Sequence, residues 1–353
     1  MKILVIQQKM IGDVLTSSIL FKLLRKKYPD AQLDYLINSN TYPVVEGNPF
    51  INNFIFFTKE TQASKKALFK LGRQIKKTQY DVLIDVYSKL SSNLITILSG
   101  AKTKISYYKH YSTWVYDHNI KRKTKTDSNA GLAIVNRLQL LEPLGISEKP
   151  IIPKIYLSEK EITNSKKLLQ SNGVDLRKPL YMISVLGSGK TKTYPFNYIS
   201  KVIDSVAKTT NGQILFNYIP NQLEDAQLIL KLCNNETQKL VLFNVFGKDL
   251  REFLAITSNC TALIGNEGGA INMAKALNIP TFAIYSPWID KATWSVFEED
   301  SKNQSVHLKD FKPELYKNNS EKDMKSKALE LYEEFKPELF IDKLKLFLNQ
   351  LDG

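Results

Sequence analysis

The sequence predicts two doubly wound α/β domains, each a parallel sheet covered by helices. Three observations point there. Short apolar runs alternate with segments of helical spacing along the chain. The alternation breaks at a proline-bearing stretch near residue 150 and then restarts. And 353 residues exceed what one core ordinarily holds.

The first half opens on "KILVIQ" (2–7), an unbroken apolar run that reads as a buried strand. Val14, Leu15, Ile19, Leu20, Leu23 and Leu24 then recur at helical spacing, and Pro29 closes that helix. "QLDYLI" (32–37), "NFIFF" (53–57) and "DVLIDV" (81–86) follow as strands, with "ASKKALFKLGRQIKK" as a helix between the last two. A helix near 128–142 ends this half. "GISEKPIIPKIYLS" (145–158), with Pro143 just before it, has no clear periodicity and reads as a linker. In the second half "PLYMISVL" (179–186) is a strand and 196–208 a helix. "GQILFNYI" (212–219), "KLVLF" (239–243), "CTALI" (260–264) and "PTFAIY" (280–285) are further strands, separated by helices near 222–234, 248–258 and 270–277. The tail from 322 to 351 reads as two helices broken at Pro337. The predicted domains are therefore 1–150 and 151–353. Ligands of such sheets sit beyond the carboxyl ends of the strands, here predicted in a cleft between the domains.

Composition narrows the classes. Hydrophobic residues make up 43% and charged residues 24%, as in a soluble globular protein. No apolar run approaches the roughly 18 residues of a membrane span, and one Lys before a short "ILVI" is too little for a signal peptide, so the expected address is cytoplasmic. Cys233 and Cys260 form no disulfide framework, and with His110, His118 and His307 scattered no metal site is expected. The net charge of +14 is uneven: residues 1–150 hold 23 Lys/Arg against 11 Asp/Glu, whereas the remainder holds 26 against 24. An anionic partner for the first half follows. The densest stretch, residues 102–126, carries seven Lys/Arg, one Asp and five aromatics, and includes Lys121, Arg122 and Lys123. It suits nucleic acid, an anionic membrane surface or a phosphorylated glycolipid, and equally a solvated basic loop.

Three junctions carry candidate chemistry. "QQKMIGDVLTSS" leaves the first strand with a single glycine, so it is not a dinucleotide fingerprint. Its Asp13 suits either a helix cap or a base for an acceptor hydroxyl. "VLGSGKTKTYP" (185–195) suggests a Walker loop, but Ser184 stands where that pattern requires the first glycine. The other reading is a phosphate loop of different design, with Ser188 offering a hydroxyl, Gly187 and Gly189 bare backbone, and Lys190 and Lys192 charge. Gln222 and Glu224, just past the next strand, suit a ribose or an ordinary helix start. In "IGNEGGAINMAKAL" (264–277), Gly268 and Gly269 precede a helix N-terminus, a combination that suits phosphate. Glu267 beside them would repel phosphate, so it either caps the helix or faces sugar hydroxyls.

In this order the motifs resemble those of glycosyltransferase family 9, the heptosyltransferases, over residue 1 to about 295. "IGDVLTSSILFKLLRKKYPDAQLDYLI" is similar to the family's opening, "KTYP" to its K-x-W-P with Tyr194 for Trp, and "NEGGAINMAKALNIPTFAIYSPW" to its N-D-[ST]-G-x-x-H segment and the turn beyond it. The resemblance implies a GT-B fold and an inverting, metal-independent transfer with no cofactor. It implies ADP-heptose bound by the C-terminal domain and a lipopolysaccharide core, or a similar lipid-linked saccharide, as acceptor on the N-terminal side. It also implies Asp13 as base, and Ser188 and Lys192 on the donor phosphates. Glu267 replaces the family's Asp and Asn272 its His, both where the family meets the donor. Lys190, Gln222, Glu224, Gly268 and Gly269 complete the expected donor site. Lys121, Arg122 and Lys123 are the expected acceptor or inner-membrane surface. The alternatives are a related transferase with another nucleotide sugar, or a basic nucleic-acid-binding protein. For the latter, charge is the support and no RNA- or DNA-binding motif is present.

Overall fold

The computed structural model describes residues 1–298, 301–317 and 319–351. The chain divides into two units, Met1–Tyr156 and Leu157–Gly353. In the first, strands β1 (Lys2–Gln7), β2 (Gln32–Asn38), β3 (Asn53–Phe57), β4 (Val82–Asp85), β5 (Thr103–Tyr107) and β6 (His118–Ile120) form one sheet in the order β3-β2-β1-β4-β5-β6, with every neighbouring pair parallel. β1 is central, and Ile3, Leu4, Val5 and Ile6 are wholly buried, which is why its sequence is an unbroken apolar run. Register sets Ile6 opposite Leu36 on one side and Asp85 on the other. Strand order reverses between β1 and β4.

The second unit carries β7 (Leu180–Ser184), β8 (Gln213–Asn217), β9 (Ala262–Asn266), β10 (Thr281–Ile284) and β11 (Asn303–Val306) in the order β11-β10-β9-β7-β8, again parallel throughout. Here the order reverses between β7 and β9. The tail helices Glu321–Ser326, Ala328–Glu334 and Ile341–Leu351 belong to this unit. They bring Phe335, Phe340, Leu344 and Phe347 into its core.

Several elements differ from expectation. "KLVLF" is not a strand: Asn234 accepts a hydrogen bond from the Thr237 N–H and starts the helix Asn235–Leu240, leaving one bridge, Ile214 to Val241. β11 has the sequence NQSV, with no apolar signal to read. Its polar side chains are buried because they are paired, Asn303 with Thr281 at 3.1 Å and Ser305 with Glu298 at 2.7 Å. β5 and β6 lie inside the basic stretch, where charge hid them. The helix Glu159–Ser171 has a readable signal, a capping box of Ser158 with Glu161.

His307, which follows β11, is buried, and its Nδ1 accepts the Lys309 N–H at 3.0 Å. Burial holds its pKa down to about 4. Between the unfolded value near 6.5 and that folded value, the unfolded chain takes up a proton that the folded chain refuses. Stability therefore falls as pH drops through this window, by up to about 3 kcal/mol from this group. His307→Asn keeps a capping acceptor and does not titrate. Urea unfolding at pH 6.5 and pH 4 should show the wild type losing about 3 kcal/mol more than the variant between the two pH values.

Candidate active site

In the first unit the chain leaves β1 through Gln8, Lys9 and Met10 into the helix Ile11–Ser17. Met10 occupies the cap position at φ +65°, and no side chain caps the helix. Asp13 sits in the first turn and does not cap. Its Oδ1 accepts from Arg137 at 2.7 Å, while Oδ2 takes no hydrogen bond among the described residues. Arg137, on the helix Gly131–Gln139, is fixed by the rest of its guanidinium: Nε donates to Ser17 Oγ at 2.8 Å and a terminal nitrogen to the Ala133 carbonyl at 2.8 Å. A planar fork held at three points presents a carboxylate with one oxygen engaged and one available. Arg137 was not expected, because nothing in its own helix marks it; only the fold brings it to Asp13.

In the second unit the exits of β7 and β9 lie side by side at the reversal of strand order, Ser184 in register with Gly265. Beyond β7, the chain makes a single tight turn, Lys190–Lys192, and the long helix Phe196–Thr210 starts only after Pro195. A Walker loop runs straight into its helix, so that reading is overturned. The turn is closely packed: a Cβ at Gly187 would lie 2.1 Å from the Lys192 carbonyl oxygen. Ser286 Oγ and Trp288 Nε1 both donate to the Thr191 carbonyl, at 2.6 and 3.0 Å. Lys192 Nζ stands 5.5 Å from the centre of the Trp288 ring. Tyr194, wholly buried, donates its hydroxyl to the Phe335 carbonyl and sits among Tyr332, Phe335 and Phe340, so the tail helices grip this loop.

Beyond β9 come Glu267 and Gly268, then the helix Gly269–Ala276. Gly268 has φ +146°, a conformation only glycine adopts without strain, and open space lies where a side chain would be. With no side-chain cap, the first N–H groups of that helix are free for a ligand. Glu267 Oε1 lies 3.5 Å from Lys192 Nζ, too far for a strong hydrogen bond, and finds no better partner among the described residues. Burial raises the Glu267 pKa and the nearby lysine opposes that rise. A buried, under-satisfied carboxylate beside bare N–H groups and an ammonium is fitted to receive hydroxyls and phosphate oxygens together.

The remaining expected residues divide. Ser188 and Lys190 are exposed on the loop, and Asn272 is half-buried one turn into the helix. The Gln222 amide is engaged at both ends, donating to the Gly187 carbonyl at 3.0 Å and accepting from the Ile219 N–H at 3.2 Å. It shapes the loop. Glu224 is exposed in the first turn of Leu223–Leu232. Lys121, Arg122 and Lys123 are exposed in the first unit, with Arg122 stacked on Tyr107 at 3.9 Å and Lys121 over Tyr108 at 5.6 Å. Two of the five aromatics in that stretch, Tyr107 and Tyr116, are core residues, while Trp114 is 75% exposed.

A model of glycosyltransferase family 9 (heptosyltransferase) matches residues 68–325, most of the chain. The protein belongs to glycosyltransferase family 9. It is 24% identical to lipopolysaccharide heptosyltransferase 3 of Escherichia coli K12, over 82% of this chain and 83% of that one. Among solved structures it is similar to a glycosyl transferase family 9 protein from Veillonella parvula, with TM-score 0.80 and 19% identity over 99% and 97% of the two chains. It is also similar to the ADP-heptose lipopolysaccharide heptosyltransferase II of E. coli, with TM-score 0.72 and 18% identity over the full length of both chains. The fold is GT-B, and the protein is a glycosyltransferase of the heptosyltransferase type, which sets aside the nucleic-acid alternative as its class. Among the described residues no helix of this glycosyltransferase is long and apolar enough to cross a membrane.

Arg137→Ala leaves the partly buried Asp13 carboxylate without its cation. It should cost about 2 kcal/mol in urea unfolding, below the 3–5 kcal/mol typical of fully buried pairs. Asp13→Ala should cost less on the Arg137→Ala background than alone, with a coupling of about 1 kcal/mol. Additive losses would show that the pair contributes nothing.

Proposed function

We propose that the enzyme transfers heptose from ADP-heptose, with inversion and without a metal, to an anionic lipid-linked saccharide of the lipopolysaccharide core type. The observation that carries this reading is the meeting of Lys192 and Glu267 at the glycine-led N-terminus of Gly269–Ala276. The two similar E. coli proteins are, by their descriptions, lipopolysaccharide heptosyltransferases, one of them using ADP-heptose. The free N–H groups and Lys192 hold the donor diphosphate, with Ser188 and Lys190 at its edge. Glu267 takes sugar hydroxyls, reaching one methylene further than the Asp of the family. Asn272 offers a neutral amide where the family has a titratable His.

The acceptor hydroxyl attacks the anomeric carbon opposite the diphosphate. A new C–O bond forms, the bond to the diphosphate oxygen breaks, and its electron pair stays on the diphosphate. Asp13 takes the hydroxyl proton, and Lys192 opposes the charge that grows on the leaving group. The exposed basic surface at Lys121, Arg122 and Lys123, with Trp114 beside it in sequence, meets the anionic inner-membrane face that carries the acceptor.

ADP without magnesium should stabilise the fold by roughly 2.7 kcal/mol at about 100 times its dissociation constant. Asp13→Asn should keep ADP affinity and lose about 10²–10⁴ in turnover, whereas Lys192→Ala should weaken both. A fully active Asp13→Asn enzyme would remove Asp13 from the chemistry, and no stabilisation by any nucleoside diphosphate would sink the donor site. Binding to vesicles containing anionic lipid should weaken steeply with salt and with Lys121→Gln/Arg122→Gln/Lys123→Gln. Equal binding to neutral vesicles would overturn the membrane surface.

A further inference from the structure

Trp288 carries two ammoniums. Lys192 Nζ lies 5.5 Å from the centre of its ring and Lys325 Nζ 4.9 Å, so the two charges stand within about 10 Å of each other. The ring itself is a fixed platform. Its Nε1 donates to the Thr191 carbonyl at 3.0 Å, the Ser286 hydroxyl donates to the same oxygen at 2.6 Å, and the Pro287 carbonyl accepts the Tyr316 hydroxyl at 2.9 Å. Lys325 comes from the tail helix Glu321–Ser326, which opens on a capping box of Ser320 with Asp323 and buries its Met324 in the core of the second unit. The next tail helix, Ala328–Glu334, packs against the turn Lys190–Lys192. The tail thus brings a cation to this loop as well as an apolar grip.

Acids are plentiful near Lys325 in sequence: Asp323, Glu330, Glu333 and Glu334. Other lysines of this unit use such acids, Lys312 pairing with Glu334 and Lys201 with Glu338. Lys325 makes no ion pair among the described residues, and its ammonium lies over the ring that Lys192 also faces. Around that ring two positive charges are opposed by one carboxylate, Glu267, 3.5 Å from Lys192. The surplus is positive, and it stands by the uncapped N-terminus of Gly269–Ala276. An aromatic face holds an exposed ammonium weakly, and a phosphate oxygen holds it through a charge-assisted hydrogen bond. Two cations on one ring are therefore placed to be drawn off together by an anion that carries more than one charge.

We propose that Lys325 is a second cation for the donor diphosphate, supplied by the tail. Trp288 keeps it beside Lys192 until the donor binds, and its ammonium then passes from the ring to a phosphate oxygen. The diphosphate at this place is that of the reading above; the second cation rests on the shared ring and the surplus charge. The tail helix Glu321–Ser326 is then part of the donor site, although it lies far along the chain from the loop it serves.

Two variants of the full-length protein test it. Lys325→Gln removes the charge at similar length, and Lys325→Arg keeps it. Lys325 is exposed and without an ion pair among the described residues, so both should unfold at wild-type urea. Each protein is titrated in EDTA with ADP, AMP and adenosine. Lys325→Gln should bind ADP about tenfold more weakly than the wild type and adenosine equally well, while Lys325→Arg should stay within about threefold of the wild type for ADP. AMP identifies the phosphate: affinity unchanged in Lys325→Gln assigns the ammonium to the β-phosphate, and affinity reduced assigns it to the α-phosphate. Unchanged ADP affinity in Lys325→Gln, an equal loss for adenosine, or no recovery in Lys325→Arg would each overturn the proposal. The two readings fail separately. A wild type that binds ADP no more tightly than adenosine removes the diphosphate from this place and both readings with it; a wild type that prefers ADP, with a Lys325→Gln variant that does so equally, removes the second cation alone.

Discussion

One buried amide holds together the strand-exit end of the second unit's sheet. Asn266, the last residue of β9, accepts the Tyr194 N–H at 2.7 Å and donates to the Ser184 carbonyl at 2.9 Å. It ties the end of β7, the end of β9 and the far side of the loop between Ser184 and Tyr194 with one side chain. Both ends of the amide are used, so Asp would lose the donor and Val would orphan two buried backbone groups at about 1–3 kcal/mol each. The position of Lys192 follows from this tie and from the two donors converging on Thr191. Lys192 is only two residues from a pinned N–H and one from a pinned carbonyl. Its side chain has little freedom at the base and keeps it at the tip.

The same rigidity explains how two carboxylates in one enzyme come to differ. Asp13 is gripped by a guanidinium that is itself fixed at two other points, so its geometry is set and one oxygen is left over. Glu267 is buried, loosely opposed by an ammonium at 3.5 Å, and its pKa is raised. One carboxylate is thus fixed by a cation with an oxygen to spare, and the other is buried and under-paired.

Much of the fold was legible because buried parallel strands must be apolar. β1, β2, β4, β7, β8, β9 and β10 all read as strands for that reason. The strands that did not were those whose burial depends on partners elsewhere. NQSV is buried by pairing with Thr281 and Glu298, and TKISY lies within a basic stretch. "KLVLF" failed in the other direction, since a local cap at Asn234 outweighed β propensity. Of the candidate residues, Asp13, Lys192, Glu267 and Gly268 were picked out in the sequence because they lie in the segments that follow strands. Arg137, Asn266 and Trp288 were not. Arg137 is 124 residues from its carboxylate, and Asn266 looks like any turn residue until both ends of its amide are traced.

Both sheets share a further property. Most buried polar groups in a folded protein are paired, and leaving one unpaired costs free energy. Gln8, Ser88 and Glu267 each carry a buried atom without a hydrogen bond, and each lies within a few residues of a strand end at the point where strand order reverses. Positive φ occurs at both reversals, +65° at Met10, +49° at Ser88 and +146° at Gly268, as it does at helix ends such as Gln79 and Asn211. Unpaired buried atoms occur elsewhere too, on Asn119, Gln139, Ser205, Glu298 and His307, while the Asn and Ser of β11 are buried with partners. Those on Gln8, Ser88 and Glu267 are set apart by position rather than by number: they follow strands at the points where strand order reverses, the place at which doubly wound sheets bind ligands.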